Sequence, residues 1–189
     1  MTVQEIIINT GVLLGRRDII DYYADQLNFG EQTYEDVLML VKVINLVVNE
    51  LASTYFPLIK EKEVTFYNGS ISYGDLEDKI VRILDVYDSR GNKVAFTDDV
   101  EYILINDTSK KTTLTVVYQY LPEEYYEDST IDYYEKDIPA KVLSCAVASE
   151  FCLSQGRFEE AVMHHKRYMA GIQEIKSPKN GFIKGRSWK

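Results

Sequence analysis

The chain has 189 residues, enough for one domain or for one domain carrying an insertion, and 46% of them are hydrophobic while 27% are charged. This composition disfavours both wholesale disorder and a membrane-embedded body. Lysine and arginine number 21 against 30 aspartate and glutamate residues, so the net charge of −9 disfavours general nucleic-acid binding.

Two helices are predicted at the start of the chain. Thr2 and Glu5 form a capping box that opens the first, and Gly15 is its expected stop. The second runs from about Asp18 to Leu27. No basic leader precedes Glu5, so we expect synthesis in the cytosol rather than secretion.

A third, strongly apolar helix is predicted from Thr33, with Asp36 in the reciprocal capping position, to about Phe56. Its longest apolar run, residues 37–48, is too short for the roughly 20 residues of a bilayer span, so no membrane contact is expected. Apolar residues cover more than one stripe, so the helix is either central to the domain or also faces a neighbouring subunit. The side chains expected at such a subunit interface are Leu40, Ile44, Val47 and Val48.

The hydrophobic period changes from about 3.6 to about 2 over residues 58–122, which predicts five or six short antiparallel strands. Turn signals lie at Asn68-Gly69 and at residues 89–92, where a hairpin is expected. Three tyrosines of this block are candidates for an exposed aromatic groove, although their alternation fits sheet packing equally well. They are Tyr102, Tyr118 and Tyr120.

An acidic, tyrosine-rich loop is predicted at residues 123–136. Apolar residues then recur at helical spacing over residues 137–176, which predicts the C-terminal helices, and residues 177–189 form a basic tail without periodicity. Helices at residues 1–57 and 137–176 are too short to bury their faces separately. We therefore predict an α+β fold: mainly a bundle formed by the N- and C-terminal helices, with an inserted small antiparallel β domain and an extended C-terminal tail.

No catalytic, cofactor or metal site is predicted. The sequence lacks phosphate-binding loops, nucleophile elbows and CxxC pairs. His164 and His165 diverge by about 100° on a helix, and Glu160 with His164 supplies only two potential ligands. Cys145 and Cys152 lie about 10.5 Å apart along one helix, too far for a disulfide.

The charge is distributed unevenly. Residues 164–189 contain seven lysines or arginines and one acid, so the rest of the chain is strongly acidic. An acidic body with a basic tail suits docking of the tail on an acidic partner, such as another copy of the chain. A disordered, solubilising end is the alternative, but three large apolar residues in the tail argue against it.

The layout resembles the head-to-tail adaptor proteins of tailed bacteriophages, the tail tubular A or gatekeeper-ring family. The resemblance rests on the N-terminal helices, the hairpin IVRILDVYDSRGNKVAF and the strand ending VVYQYLPEE. It also rests on the segment IPAKVLSCAVASEFCLSQGRFEEAVMHHKRYMAGIQ, in which a small-residue helix is followed by GRFEEA and a second helix.

This resemblance implies a structural virion protein in the neck, not an enzyme. It implies a homo-oligomeric ring, expected to hold twelve copies, that joins the portal protein to a downstream tail or nozzle protein and retains DNA until genome ejection. Duplex DNA would only pass through its channel. The portal-docking residues would be Lys179, Phe182, Ile183, Lys184, Arg186 and Trp188. The tail-facing residues would be Tyr125, Tyr126, Tyr133 and Tyr134.

Two other classes stay open. A non-viral protein-binding adaptor module would use an exposed groove in the β block. An enzyme would need converging ionisable groups in one pocket.

Overall fold

The computed structural model describes residues 1–24, 30–67, 69–106, 111–131 and 138–177, with side chains at all of these except 66, 67, 111 and 112. The fold is α+β, as predicted. The chain divides into a helical unit, residues 1–47 with 125–189, and a β unit, residues 48–124. The hydrophobic pattern of the sequence predicts these boundaries at 57/58 and 122/123.

The helical unit draws on both ends of the chain. Its first helix has the predicted cap residues: Thr2 Oγ1 accepts from the Glu5 amide at 3.1 Å, which is one of the two bonds of a capping box, and Gly15 ends the helix with φ of 68°. The described helices are α1 (Val3–Leu14), α2 (Arg17–Ala24), α3 (Glu31–Glu50, which runs past the unit boundary), α4 (Ala140–Ser154) and α5 (Phe158–Lys176).

The start of α3 differs from the prediction. The Gly30 carbonyl accepts from the Thr33 amide at 3.0 Å, so helical bonding begins before Thr33, and the helix starts at Glu31. Thr33 therefore does not cap the helix. Its hydroxyl donates to the Asp18 carboxylate at 3.1 Å instead, and the Asp36 carboxylate binds Arg16.

A π-helical turn, Leu51–Tyr55, continues from α3. The stretch Glu31–Tyr55 is long and apolar enough to cross a bilayer by length and composition alone. This is weak evidence for a membrane span, since core helices of soluble proteins have the same length and composition. Of its most apolar 18-residue stretch, 44% is buried inside the protein.

Helices α4 and α5 form a closely packed pair. Helix α4 begins at Ala140 with Pro139 in the N-cap position, inside the segment predicted to be helical; its first predicted residue, Asp137, lies outside the described residues. The Ser149 hydroxyl of α4 donates to the Ala161 carbonyl of α5 at 2.9 Å. Gly171 allows the close approach, because a Cβ there would lie 2.7 Å from a methyl carbon of Val142.

The β unit contains one six-stranded antiparallel sheet with the order β3-β6-β1-β2-β5-β4. Its first and last strands, β1 and β6, are central neighbours, paired from Leu58 with Tyr120 to Tyr67 with Lys111. The strands are β1 (Leu58–Tyr67), β2 (Ser70–Ser72), β3 (Lys79–Tyr87), β4 (Phe96–Asp98), β5 (Tyr102–Ile105) and β6 (Lys111–Leu121).

The segment just before β4 contacts β3, the strand at the other edge of this sheet. Tyr87 at the end of β3 forms a bridge with Lys93, and the Val94 amide donates to the Val86 carbonyl at 2.8 Å. The predicted hairpin is limited to this short contact, because β4 then pairs with β5. The sheet thus curls around one apolar core, formed by Val64, Ile71, Leu76, Ile83, Val86, Ile103, Ile105, Leu114, Val116 and Tyr118.

Candidate functional site

The four side chains predicted at a subunit interface are core residues, which corrects that prediction. Each is at most 1% exposed, so none can contact a second chain on the folded surface. The physical reason is that the rest of the protein already covers the most apolar side of α3. These residues are Leu40, Ile44, Val47 and Val48.

The opposite side of α3 is exposed and carries both charged and apolar residues. Its apolar members, Leu38 and Leu46, are 40% and 56% exposed. The exposed residues of α3 recur every three or four positions, which places them on one face of the helix, about 180° from its buried side. We call this face the α3 stripe; it consists of Glu31, Glu35, Leu38, Lys42 and Leu46.

Helix α5 has the same two-sided character. Ala161, His164, Tyr168 and Ile172 are buried. On the other side, Val162 and Met163 are 53% and 41% exposed. Charged residues flank them at the helical spacing that keeps side chains on one face. We call this face the α5 stripe; it consists of Glu159, Val162, Met163, Lys166 and Ala170.

The acidic loop is held against the start of the chain. The Val3 amide donates to the Ser129 carbonyl at 3.0 Å, and the Ile131 amide donates to the Met1 carbonyl at 2.9 Å. Asn45 anchors the other end, since its side chain accepts from the Tyr125 amide and donates to the Tyr125 carbonyl, both at 2.8 Å.

The tyrosines of this loop differ in their exposure. Tyr126 is 65% exposed, whereas Tyr125 is half-buried. Two further predicted contact residues, Tyr133 and Tyr134, lie outside the described residues. Tyr126 is therefore the member of the predicted tail-facing set that the structure places at the surface.

The predicted portal-docking residues also lie outside the described residues, which end at Ser177. They are Lys179, Phe182, Ile183, Lys184, Arg186 and Trp188.

An ion-pair cluster joins the α1–α2 corner to α3. Arg16 donates from Nε and Nη2 to the two Asp18 oxygens at 2.9 and 2.6 Å, and Nη2 also lies 2.7 Å from Asp36. The hydrogen bonds from Arg16 lower the pKa of Asp18 to about 2. Because every group in the cluster is paired, its chemistry is that of a structural anchor.

The β unit has a shallow concavity of about 260 Å³, lined by residues around the start of β3 and directly after β4. Its polar wall includes Asp78, which accepts from the Tyr118 hydroxyl at 2.5 Å and pairs with Lys60 at 2.9 Å. Burial, with the hydrogen bond to Asp78, raises the pKa of Tyr118. The lining residues are Tyr73, Asp78, Ile80, Val81, Asp99 and Val100.

The three tyrosines considered for an aromatic groove do not share an exposed face. Tyr118 is fully buried and Tyr120 is half-buried, while Tyr102 is 44% exposed. The first two pack edge to face with ring centroids 6.3 Å apart. This arrangement fits the packing alternative stated for them.

The His164 position does not gather metal ligands. Its imidazole is 1% exposed, and Glu160 is hydrogen-bonded to Arg157. Within the described ranges, no group of three or more histidine, cysteine, aspartate or glutamate side chains is placed to hold a metal ion. Cys145 and Cys152 are buried free thiols, and burial raises the pKa of both.

No protein-family model matches this sequence, and no curated protein matches it significantly.

Proposed function

We propose that this protein is a structural subunit of a phage head-to-tail connector, a homo-oligomeric ring between the portal protein and a tail or nozzle protein. The observation that carries the proposal is the pair of exposed stripes on α3 and α5. A single chain leaves apolar side chains in water on two helices of one unit, and a neighbouring copy can cover them.

Charge also supports the role. The chain carries −9 overall, while residues 164–189 carry an excess of six positive charges. A ring of such subunits would surround duplex DNA with negative charge and so would let it slide rather than hold its phosphates. The basic tail would then be free to dock on an acidic surface of the portal.

The test is negative-stain microscopy of the purified protein alone and mixed with the portal protein of the same phage. The proposal expects closed rings in solution or a ring of density beneath the portal. Monomers without portal would still fit, since adaptors can assemble on their template. A stable monomer that also leaves the portal bare would contradict the proposal.

The second candidate is a non-viral binding module that uses the β unit. The concavity beside Asp99 favours it, since this carboxylate beside the apolar side chains of Ile80, Val81 and Val100 suits a basic side chain of a partner. Binding of a lysine-rich peptide that Asp99→Asn weakens, together with an absence of portal binding, would select this candidate.

A further inference from the structure

The two exposed stripes of the helical unit have matching chemistry. Along α3, Glu35 is followed by Leu38 and then by Lys42, with spacings of three and four residues. Along α5, read from its C-terminal side, Lys166 is followed by Met163 and then by Glu159, with the same spacings. The charges are opposite at both ends, and the centre of each stripe is apolar.

We propose that the α3 stripe of one copy packs antiparallel against the α5 stripe of a second copy. In this register Glu35 faces Lys166, Leu38 faces Met163, and Lys42 faces Glu159 of the neighbour. All three pairs meet in one alignment, because both helices rise 1.5 Å per residue. A parallel alignment of the same faces would oppose like charges, which disfavours it.

The contact uses different surfaces on its two sides, so each copy keeps one stripe free for the next copy. Such head-to-tail contacts build rings when the rotation closes. The inference rests on the proposed connector only for the step in which the same contact repeats from copy to copy and closes a ring. The pairing of two copies does not depend on the portal.

Each stripe could instead pair with itself, since each carries an acid and a base around an apolar centre. A self-paired dimer of α5 would leave Leu38 exposed, and one of α3 would leave Val162 and Met163 exposed. The α3–α5 contact covers both apolar centres through a single kind of interface, which is why the structure favours it.

A charge exchange tests the register. Glu35→Lys and Lys166→Glu should each weaken self-association about tenfold or more, because each opposes like charges across the interface. The double variant should return to within about threefold of the natural protein. Association is measured by sedimentation velocity, and thermal unfolding confirms that every variant is folded.

Lys141→Glu is the matched control, because Lys141 is exposed on α4 and belongs to neither stripe. It changes the net charge as Lys166→Glu does and should leave association unchanged. Failure of the double variant to recover would overturn the proposed register, as would equal weakening by the control.

Cross-linking tests the contact where association is weak. Leu38→Cys and Met163→Cys variants are mixed and oxidised; the natural thiols, Cys145 and Cys152, are 3% and 0% exposed and stay in place. A disulfide-linked heterodimer is expected, and a mixture of Leu38→Cys with Lys141→Cys should give none. Homodimers of either stripe variant, or no cross-link at all, would overturn the inference.

The outcomes separate this inference from the proposed function. Portal-bound rings that form equally well with Glu35→Lys would keep the connector and reject the α3–α5 contact. A Leu38–Met163 cross-link in a protein that leaves the portal bare would keep the contact and reject the connector.

Discussion

Gln119 of β6 donates a hydrogen bond from Nε2 to the backbone carbonyl of Ala52 at 2.8 Å, in the π-helical turn that follows α3. In a π-helix this carbonyl would bind the amide five residues on, but that residue is Pro57, which has no amide hydrogen. Gln119 therefore supplies the donor that proline lacks. It is 1% exposed and also accepts from Arg82 Nε at 2.9 Å.

Replacing this amide should destabilise the protein. Gln119→Leu is expected to lower the free energy of unfolding by about 1–3 kcal/mol, because the Ala52 carbonyl loses its buried donor. Urea denaturation measures the change. Gln173→Leu is the control, since Gln173 is exposed, and it should change stability by less than about 0.5 kcal/mol. Equal effects of both substitutions would contradict the role of the Gln119–Ala52 bond.

The effect of replacing Gly171 on stability should depend on the side chain at position 142 of α4. Alanine there places Cβ against Val142, so Gly171→Ala is expected to destabilise by about 1–2 kcal/mol despite its better helix propensity. In a Val142→Ala background the clash is gone, and the same change should stabilise by up to about 1 kcal/mol. Thermal melts of the natural protein, the two single variants and the double variant measure the effect of Gly171→Ala in each background; an effect of the same sign in both would refute this explanation.

His164 should make the helical unit sensitive to acid. Burial and nearby Arg167 lower its pKa below the ordinary value of 6.5, while Glu160 opposes them. In the described part of the chain neither ring nitrogen has a hydrogen-bond partner. The unfolded chain therefore binds a proton below pH 6.5 that the folded chain does not, and stability falls as the pH falls.

His164→Leu should remove the part of the acid sensitivity that His164 causes, while the leucine side chain still fills the buried position. The melting temperature of the variant is expected to fall less between pH 7 and about pH 5 than that of the natural protein. His165→Leu is the neighbouring control, because His165 is exposed. An unchanged pH profile in the His164 variant would show that another group causes the acid sensitivity.

Arg16 should stabilise the corner between α1 and α2. Arg16→Met leaves the Asp36 carboxylate, which is 7% exposed, without its cation, so a loss of about 2 kcal/mol at pH 7 is expected. Arg17→Met is the control, since Arg17 is 91% exposed and only 4.0 Å from Asp21.

The effect of Arg16 should depend on pH in a defined direction. The Asp18 pKa is lowered from 3.8 to about 2, so its pairing stabilises the fold above pH 3.8 and is lost as the pH falls towards 2. The difference in stability between Arg16→Met and the natural protein should therefore shrink over this range. A difference that stays constant to pH 2 would contradict the assignment of Asp18 to the pair.

In the proposed connector the residues after Ser177 dock on the portal, so ending the chain there should abolish portal attachment without unfolding the protein. The removed residues include four basic side chains and Trp188, and the described core does not include them. Circular dichroism checks the fold, and co-sedimentation with the portal measures attachment. The truncation removes both Trp188 and the basic side chains, so Trp188→Ala in the full chain measures the contribution of the aromatic side chain to attachment separately from that of the charges. Attachment that survives the truncation would refute the docking role of the tail.

Local chemistry explains which elements could be predicted from the sequence. Thr2, Glu5 and Gly15 mark both ends of α1 because caps act within one turn of the helix. The turn at Gly69, with φ of 86°, likewise lies between two strands that pair directly. These signals need only neighbours in sequence.

The errors concern contacts between distant segments. Leu40 and Ile44 are strongly apolar, but composition alone does not tell whether the same chain or another one covers them. Strand β4 pairs with β5 rather than extending the hairpin from β3, because pairing depends on the whole sheet. The α3 stripe was detectable in principle, since Glu35, Leu38 and Lys42 repeat at helical spacing.

The central pairing of β1 with β6 has a consequence for how this gene can change. Leu58 and Tyr120 are register partners, so the polypeptide enters and leaves the sheet at neighbouring positions, about 5 Å apart between Cα atoms. Segments with adjacent ends are readily gained, exchanged or shortened during evolution, because a brief linker can replace them. Relatives are thus expected to vary most between these two positions.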